Sequence, residues 1–277
     1  MKIARVFPRK TAMTPDDELA FVNCYPPMYL PEVDEVHISV TWTYDIPLAE
    51  DLAYQWETVG VPVKIGGAAY DDPCDGDFIP GMYVKKGNVF TSRGCNNKCW
   101  FCSAWRREGK LRELEIKDGW NILDNNLLQC SEHHIRDVFA MLKRQKQKAV
   151  FTGGLEAKML EPWHCDLLAD LKPARMYFAY DTPDDYEPLV AAGKMLMDAG
   201  VKPTNHSMCC YNLCGFKGDT FEAAEKRFEQ TIKAGFMPYA MLFRDKKGNT
   251  DPEWRKFQRE WCRPAIVGVK FKEAWAG

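Results

Sequence analysis

Long hydrophobic runs are missing from this sequence. No stretch approaches the ~18 consecutive apolar residues that cross a bilayer as a helix. Residues 1–20, MKIARVFPRKTAMTPDDELA, also lack the apolar core of a secretory signal peptide. Membrane-spanning and secreted proteins are therefore disfavoured, and we expect a cytoplasmic protein without a membrane partner.

A large excess of one charge is missing as well. The 37 Lys and Arg residues nearly balance the 39 Asp and Glu residues, which gives a formal net charge of -2. No overall positive field therefore draws the chain to nucleic acid. Two local basic segments remain, RREGKLR (106–112) and KRQKQK (143–148). The second lies at a predicted helix C-terminus, where cations are favoured, whereas the first could contact an anionic substrate or a redox partner.

Paired metal-ligand motifs are also scarce. The histidines are not spaced as a metal-binding pair, and the sequence contains only one C-x2-C pair. The number of cysteines is 11, and this odd count argues against a disulfide framework in a reducing compartment. Metal ligation and ordinary buried thiols are the remaining roles for these cysteines.

Helix and strand patterns alternate along the chain. A glycine stands where each of three predicted helices passes into a β-rich run, at Gly60, Gly200 and Gly235, with a proline shortly after it. Several β-rich runs are almost continuously apolar, which is typical of parallel strands covered on both faces. The sequence therefore predicts an α/β fold. The predicted strands are 36–42, 61–66, 87–92, 120–125, 149–154, 175–181, 207–215 and 238–244.

The strand pattern predicts two parts of unequal size. Residues 1–80 form a short βαβ lobe, and the segment DDPCDGDFIPG (71–81), which is rich in Asp, Gly and Pro, is the expected boundary. Residues 81–277 contain six predicted strands, which suit a partial (β/α)6 TIM-like barrel followed by a C-terminal extension. In such a barrel the active site lies at the carboxyl ends of the strands.

Three cysteines lie within the segment TSRGCNNKCWFC (91–102). Cys95, Cys99 and Cys102 form a C-x3-C-x2-C pattern on a loop that follows a predicted strand. Thiolates on such a loop can converge on one metal group, and cysteine is the usual ligand of iron–sulfur clusters. Three ligands leave one coordination position open, which points to chemistry. A structural zinc site is the alternative, although zinc usually takes four ligands from two motifs.

The segment CNNKCWFC resembles the signature of the radical S-adenosylmethionine (radical SAM) superfamily, C-x3-C-x-aromatic-C. By this resemblance, Cys95, Cys99 and Cys102 hold a 4Fe-4S cluster, and Phe101 flanks the adenine of S-adenosylmethionine. The cluster then cleaves this cofactor reductively, and a 5'-deoxyadenosyl radical abstracts hydrogen from a substrate. The resemblance also implies a reductant such as flavodoxin or ferredoxin, and an oxygen-sensitive protein.

Other strand ends resemble cofactor-binding elements of the same superfamily. Gly153, Gly154 and Glu156 in FTGGLEA are similar to its Gly-Gly-Glu element, although Leu155 intervenes, and a carboxylate at a helix N-terminus is the alternative for Glu156. The remaining candidates are Asn125, Tyr180 and Asp181, which follow strands, and Gly215 in YNLCGFKGDTFE. Ordinary turn chemistry explains these residues as an alternative.

The first 80 residues resemble the cobalamin-type lobe of some superfamily members, but the motif that supplies a cobalt-ligating histidine is absent. A cap on the barrel and a wall of a substrate pocket are the remaining roles for this lobe. Two other functions remain open from sequence, namely a non-catalytic iron–sulfur protein for electron transfer or sensing, and a zinc-stabilised binding domain. The sequence does not identify a substrate.

Overall fold

The computed structural model describes residues 1–71, 76, 78–203 and 207–275. Cys74, His206 and part of the predicted boundary at 71–81 lie outside these residues. None of the described helices is long and apolar enough to cross a membrane. The strands are β1 (Ile3–Phe7), β2 (Ala20–Val22), β3 (Glu35–Ser39), β4 (Val63–Gly66), β5 (Asn88–Val89), β6 (Ser92–Arg93), β7 (Arg112–Glu113), β8 (Asn121–Ile122), β9 (Val150–Phe151), β10 (Arg175–Ala179), β11 (Met208–Cys214) and β12 (Met237–Leu242). The α-helices are α1 (Ile46–Trp56), α2 (Ala104–Arg107), α3 (Glu132–Lys143), α4 (Pro162–Leu171), α5 (Tyr186–Asp198), α6 (Phe221–Lys233), α7 (Pro252–Trp261) and α8 (Pro264–Trp275).

The N-terminal part is built on a four-stranded parallel sheet in the order β2-β1-β3-β4. Helix α1 buries Leu52 and Trp56 against this sheet, in a core of its own that draws on residues 4 to 69. The sequence predicted β3, α1 and β4 here but not β1 or β2. The charged Arg5 interrupts the apolar pattern of β1, and in the fold its guanidinium bonds to the Asp17 carboxylate and to the Met82 carbonyl.

The larger part is built on a six-stranded sheet in the order β12-β11-β10-β9-β8-β5. Every neighbouring pair in it is parallel, and the strands follow one another in chain order. Helices α3 to α6 cover one face, where alternate strand residues such as Met176, Phe178 and Cys210 are fully buried. The predicted α/β class with parallel sheets is therefore confirmed.

The face of this sheet opposite the helices carries a tyrosine cluster. The rings of Tyr177 and Tyr211 stack with centroids 4.4 Å apart, and the edge of Tyr239 contacts both. The Tyr211 hydroxyl donates to the Thr152 carbonyl at 3.0 Å, so this side chain from β11 reaches across β10 to the end of β9.

The helix ends predicted from glycine agree with the structure. Gly60, Gly200 and Gly235 all have positive φ angles, of 81°, 93° and 91°, where a side chain would be strained. The strands β8 and β9 are shorter than predicted, with two paired residues each. The chain turns beyond β8 and β9. Gly153 and the residues around Asp124, which follow these strands, belong to the pocket described below.

The start of α6 differs from the sequence expectation. The pattern Asp219-x-x-Glu222 in the sequence predicts a capping box. In the structure the N-cap is Thr220, whose side-chain oxygen accepts from the Ala223 amide at 3.2 Å. Asp219 instead forms a buried ion pair with Arg227, with nitrogen and oxygen 2.9 Å apart. The pairing of these two side chains removes Asp219 from the cap.

This cap leads to a stability prediction. Thr220→Ala should lower the free energy of unfolding by about 1 kcal/mol, because the Ala223 amide loses its acceptor. Glu222→Ala, two residues further along the chain, should change it by less than ~0.5 kcal/mol. Urea unfolding followed by circular dichroism measures both variants. A larger loss of stability in the Glu222 variant would indicate that Glu222 takes part in a capping box.

Candidate functional site

The cysteine loop lies between two short strands that pair with each other. Strand β6 ends directly before Gly94 and pairs antiparallel with β7, so residues 94–111 form a closed excursion. Gly94 has a φ of 85°, and a Cβ there would lie 2.2 Å from the Lys110 carbonyl oxygen. The Cys95 amide donates to the Gly109 carbonyl at 3.2 Å. The loop therefore needs glycine at its first position.

Side chains from the segment that follows β8 also hold the cysteine loop in place. The Gly94 amide donates to Asn125 Oδ1 at 3.0 Å, and the Asn96 amide donates to Gln129 Oε1 at 2.8 Å. Asp124 is buried beneath the loop and accepts from the Thr91 amide at 2.6 Å and from the Ser92 hydroxyl at 2.8 Å. Burial raises the pKa of Asp124, and these donors oppose the shift. Asn125 thus supports the loop directly.

The three thiols of the loop line one pocket. Burial raises the pKa of the Cys95 thiol. Burial also raises the pKa of the Cys99 thiol, and charge repulsion from Cys102 and Cys95 adds to this shift. The Ala104 amide donates to Cys102 Sγ at 3.4 Å. Among residues 1–71, 76, 78–203 and 207–275, no three His, Cys, Asp or Glu side chains are grouped closely enough to hold a single metal ion.

The pocket lies at the carboxyl ends of the strands of the six-stranded sheet and has a cavity volume of about 410 Å³. Its walls come from the cysteine loop and from the segments that follow β8, β9 and β10, while Tyr211 enters from β11. Most of the residues predicted from sequence meet here: Cys95, Cys99, Phe101, Cys102, Asn125, Gly153, Gly154, Glu156 and Asp181.

The two glycines after β9 allow the backbone to approach its neighbour. A Cβ on Gly153 would lie 2.0 Å from the Asp124 carbonyl oxygen, so any side chain would push the end of β9 away from the end of β8. Gly154 follows with a φ of 104°. This close approach brings the next carboxylate, Glu156, beside the cysteine loop.

Glu156 and Asn126 form a set of acceptors in the pocket. The Glu156 carboxylate accepts from Asn126 Nδ2 at 2.6 Å and from Gln129 Nε2 at 3.1 Å. Asn126 Oδ1 is buried and has no hydrogen-bond partner among the residues described. A buried acceptor without a donor is costly, and together with the carboxylate it suits an ammonium group. Three soft sulfur ligands beside it suit an iron–sulfur group.

Asp181 and Asp185 are two carboxylates with different proton affinities. Burial raises the pKa of Asp181 to about 6, although its carboxylate accepts from the Leu213 amide at 2.8 Å. Burial also acts on Asp185, but Lys158 Nζ at 2.8 Å and the Thr182 amide at 2.9 Å outweigh it and lower the pKa of Asp185. Of these two carboxylates, Asp181 therefore holds its proton to a higher pH than Asp185 does.

The raised pKa of Asp181 predicts a pH dependence of stability. Between the ordinary Asp value of 3.8 and about 6, the folded protein keeps a proton that the unfolded chain has released. The free energy of unfolding should therefore fall as pH rises through this window. Asp181→Asn, whose amide oxygen still accepts from Leu213, should remove this fall and gain about 1–2 kcal/mol at pH 8.

Urea unfolding between pH 4 and 8 measures this effect. The exposed neighbour Asp184 provides the control, since Asp184→Asn should keep the wild-type pH profile. Identical profiles for the wild type and Asp181→Asn would contradict the raised pKa.

Tyr180 and Gly215 are not part of this pocket. Tyr180 is buried on the helix-covered face, where its hydroxyl donates to Gln230 Oε1 at 2.8 Å. The Tyr180 side chain therefore does not reach this pocket, because adjacent strand residues face opposite ways. Gly215 has a φ of 75° in the turn after β11, and a Cβ there would lie 2.9 Å from the Trp254 ring. Packing in that turn explains Gly215.

Tyr211, Lys158 and Asp185 are among the pocket residues that were not found from sequence. Tyr211 could have been found from the alternation along β11, since it stands out of phase with the buried Cys210. Lys158 and Asp185 pair across the pocket mouth. They lie 27 residues apart in the chain, and no local motif connects them.

Comparison with known proteins adds no family to this geometry. No protein-family model matches the chain, and a search of curated proteins finds no match.

Proposed function

We propose that this protein is a radical SAM enzyme. The observation that carries the proposal is that the three thiols of the C-x3-C-x2-C loop line the same pocket as the acceptors Glu156 and Asn126. When bound, a 4Fe-4S cluster and S-adenosylmethionine supply reductive cleavage of the S–C5' bond and a 5'-deoxyadenosyl radical that abstracts hydrogen from a substrate. The residues of the chain bind and position these two groups.

In this proposal each wall of the pocket has one task. Cys95, Cys99 and Cys102 ligate the cluster. Glu156 and Asn126 Oδ1 accept hydrogen bonds from the amino group of S-adenosylmethionine, which satisfies the unpaired acceptor. Asp181 accepts from a ribose hydroxyl, and Phe101 contacts the adenine. Gly153 and Gly154 let the cofactor approach the backbone.

A partial (β/α)6 barrel is the architecture that we propose for residues 81–277. Crossover connections between parallel strands are almost always right-handed, so a sheet whose strands follow chain order receives its helices on one face. The opposite face receives no crossover helices, so the sheet must curve to enclose this face. The reach of Tyr211 from β11 to the Thr152 carbonyl supports such a curve. The N-terminal part, residues 1–80, then forms a small α/β lobe beside the barrel.

Anaerobic reconstitution with iron and sulfide tests the proposal. The reconstituted protein should bind a 4Fe-4S cluster and, with dithionite and S-adenosylmethionine, release 5'-deoxyadenosine. Protein that binds no iron, or that binds zinc alone when purified anaerobically, would contradict it and favour a zinc-stabilised domain. A cluster whose electron paramagnetic resonance spectrum ignores S-adenosylmethionine would favour a non-catalytic electron-transfer or sensing protein.

The substrate can be sought with the same assay. Substrate-dependent release of 5'-deoxyadenosine, and transfer of deuterium from a labelled compound into it, identify the molecule that loses hydrogen. Compounds that leave both readouts unchanged are not substrates.

A further inference from the structure

A second pocket lies at the carboxyl ends of the strands in the four-stranded sheet. The ends of three strands line it, at Phe7 of β1, Ser39 of β3 and Gly67 directly after β4. Its cavity volume is about 160 Å³, and it shares no lining residue with the pocket that the three thiols line. The proposed function assigns no role to this second pocket.

The order of the strands creates a crevice at this place. The connection after β1 leads to β2 on one side, whereas the connection after β3 leads to β4 on the other. Open parallel sheets bind their ligands at such a reversal, outside the carboxyl ends of the strands. A Cβ on Gly67 would lie 2.8 Å from the Val40 carbonyl oxygen, so glycine is needed where the chain leaves β4. The pocket therefore occupies the place where a sheet of this order binds a ligand.

Stacked aromatic rings form one wall of this pocket. The rings of Phe78 and Tyr83 stack with centroids 5.2 Å apart, and the buried His37 stacks on the Phe78 ring at the same separation. The Tyr83 hydroxyl lies 2.7 Å from His37 Nδ1, and His37 Nε2 lies 2.9 Å from a Glu35 carboxylate oxygen. These hydrogen bonds hold the Tyr83 ring in place, and aromatic side chains favour stacking with a further ring. The other aromatic residues that line the pocket are Phe7, Trp42 and Phe90.

The charged side chains in the described part of this pocket are paired. Arg9 Nη2 lies 2.7 Å from Asp45 Oδ1, and the buried Arg93 pairs with Glu108. The Asp45 carboxylate also stands at the N-cap of α1, where an anionic ligand would otherwise be favoured. A charge on the ligand would thus be buried without a counter-ion, which is costly. The pocket therefore favours an uncharged ligand.

Two hydroxyls at the carboxyl end of β3 can bond to a ligand. Ser39 and Thr41 line the pocket, and their side-chain oxygens have no hydrogen-bond partner among the described residues. The Thr11 and Thr14 hydroxyls, by contrast, bond to each other at 3.1 Å. Because a hydroxyl both donates and accepts, Ser39 and Thr41 suit a neutral amide, carbonyl or hydroxyl substituent.

The volume of the pocket limits the size of the ligand. A cavity of about 150 Å³ accommodates one benzene ring. A corrin macrocycle is much larger, so this pocket does not suit cobalamin, although residues 1–80 resemble the lobe that binds it. A nucleotide is also larger, and its phosphate charge would lack a free cation among the described lining residues.

We infer that this second pocket, which we call the lobe pocket (Ser39, Thr41, Phe78 and Tyr83), binds an uncharged molecule with one aromatic ring and one hydrogen-bonding substituent. The ring stacks on the Phe78 and Tyr83 rings, and the substituent bonds to the Ser39 and Thr41 hydroxyls. Binding is non-covalent and does not depend on the proposed function, since the two pockets share no lining residue.

Three small probes test the charge and the ring separately. Benzamide and benzoate have the same ring and nearly the same shape, but only benzoate is charged at neutral pH. Cyclohexanecarboxamide keeps the amide and lacks the aromatic ring. Binding of para-fluorobenzamide to the full chain broadens its fluorine NMR signal, and displacement by each probe gives the relative affinities.

Substitutions at two exposed threonines locate the probe. Thr41→Trp fills the lobe pocket from an exposed lining position, and Thr41→Val removes only the hydroxyl. Thr58→Trp is the matched control, since Thr58 is exposed in the same part of the chain and does not line the lobe pocket. Circular dichroism reports whether each variant is folded.

Benzamide should displace the fluorinated probe at least about tenfold better than benzoate, because the carboxylate would lose water without gaining a counter-ion. It should also act at least about threefold better than cyclohexanecarboxamide, which cannot stack. Thr41→Trp should weaken binding at least about tenfold and Thr41→Val about threefold. The Thr58→Trp variant should stay within about twofold of the wild type.

A wild-type chain that leaves the fluorine signal sharp overturns the inference. Unchanged binding in the Thr41→Trp variant, or an equal loss in the Thr58→Trp variant, overturns it as well, because the probe then lies elsewhere. Equal displacement by benzoate contradicts an uncharged ligand, and equal displacement by cyclohexanecarboxamide contradicts an aromatic one. Loaded protein that binds benzamide as expected but releases no 5'-deoxyadenosine supports the lobe pocket and contradicts the proposed function.

Discussion

Replacing Cys95, Cys99 or Cys102 with alanine, one at a time, is expected to abolish bound iron and to lower 5'-deoxyadenosine release by at least about a thousandfold. A thousandfold corresponds to about 4 kcal/mol of barrier. In the proposed function each cysteine supplies one of three protein ligands, and alanine offers no donor atom. The remaining two thiolates cannot retain a cluster in a loop that is exposed at Cys99. Iron content, visible absorption and product release measure the effect together.

Two other exposed cysteines provide the matched control. Cys24 and Cys262 are exposed free thiols outside the loop. Cys24→Ala and Cys262→Ala should keep wild-type iron content and product release. Full iron retention in any single loop variant would mean that the thiol concerned is not a ligand. Loss of iron in a control variant would place a ligand outside the loop.

Glu108→Gln is expected to cost about 3–5 kcal/mol of the free energy of unfolding. The Glu108 side chain is fully buried and pairs bidentately with the Arg93 guanidinium, and Arg107 Nε donates to it at 2.9 Å. Arg112 adds a third cation at 3.8 Å. Removing the carboxylate charge leaves the buried Arg93 without the anion that compensates its desolvation.

The same substitution should loosen the cysteine loop, because Arg93 stands two positions before Cys95. Urea unfolding measures the loss of stability, and the rate of Cys99 alkylation by iodoacetamide in the apoprotein measures the loosening. Glu115→Gln, at an exposed site in the same part of the chain, should stay within ~0.5 kcal/mol of the wild type. An equally small change in Glu108→Gln would show that the buried ion pairs contribute little.

The sequence predicted the cysteine loop and most of its surroundings because local rules apply there. Three cysteines at short spacing after a strand, and glycines at strand ends, carry their meaning within a few residues. Parallel strands that follow chain order bring their carboxyl ends together, so Asn125, Glu156 and Asp181 meet in one pocket. Whether these residues bind the proposed cofactor stays a prediction.

The differences between the sequence predictions and the structure have physical reasons. The sequence predicts that both Tyr180 and Asp181 bind a cofactor or substrate. Strand geometry sends adjacent side chains to opposite faces, so only Asp181 reaches the pocket. Glu108 could not be assigned from sequence, since its partners Arg93 and Arg112 meet through a two-residue pairing that has no recognisable pattern. Strand β1 was not predicted, because the charge of Arg5 interrupts its apolar pattern. The residues that compensate this charge cannot be identified as its neighbours from the sequence.

The order of the strands also has a consequence for synthesis. Because the six-stranded sheet follows chain order, β5 and the cysteine loop leave the ribosome before β10 and β11, which complete the pocket. At about 5–20 residues per second, the three thiols remain without Asp181 and Tyr211 for on the order of ten seconds. During that interval the three thiols lack the walls that the later strands add to the pocket.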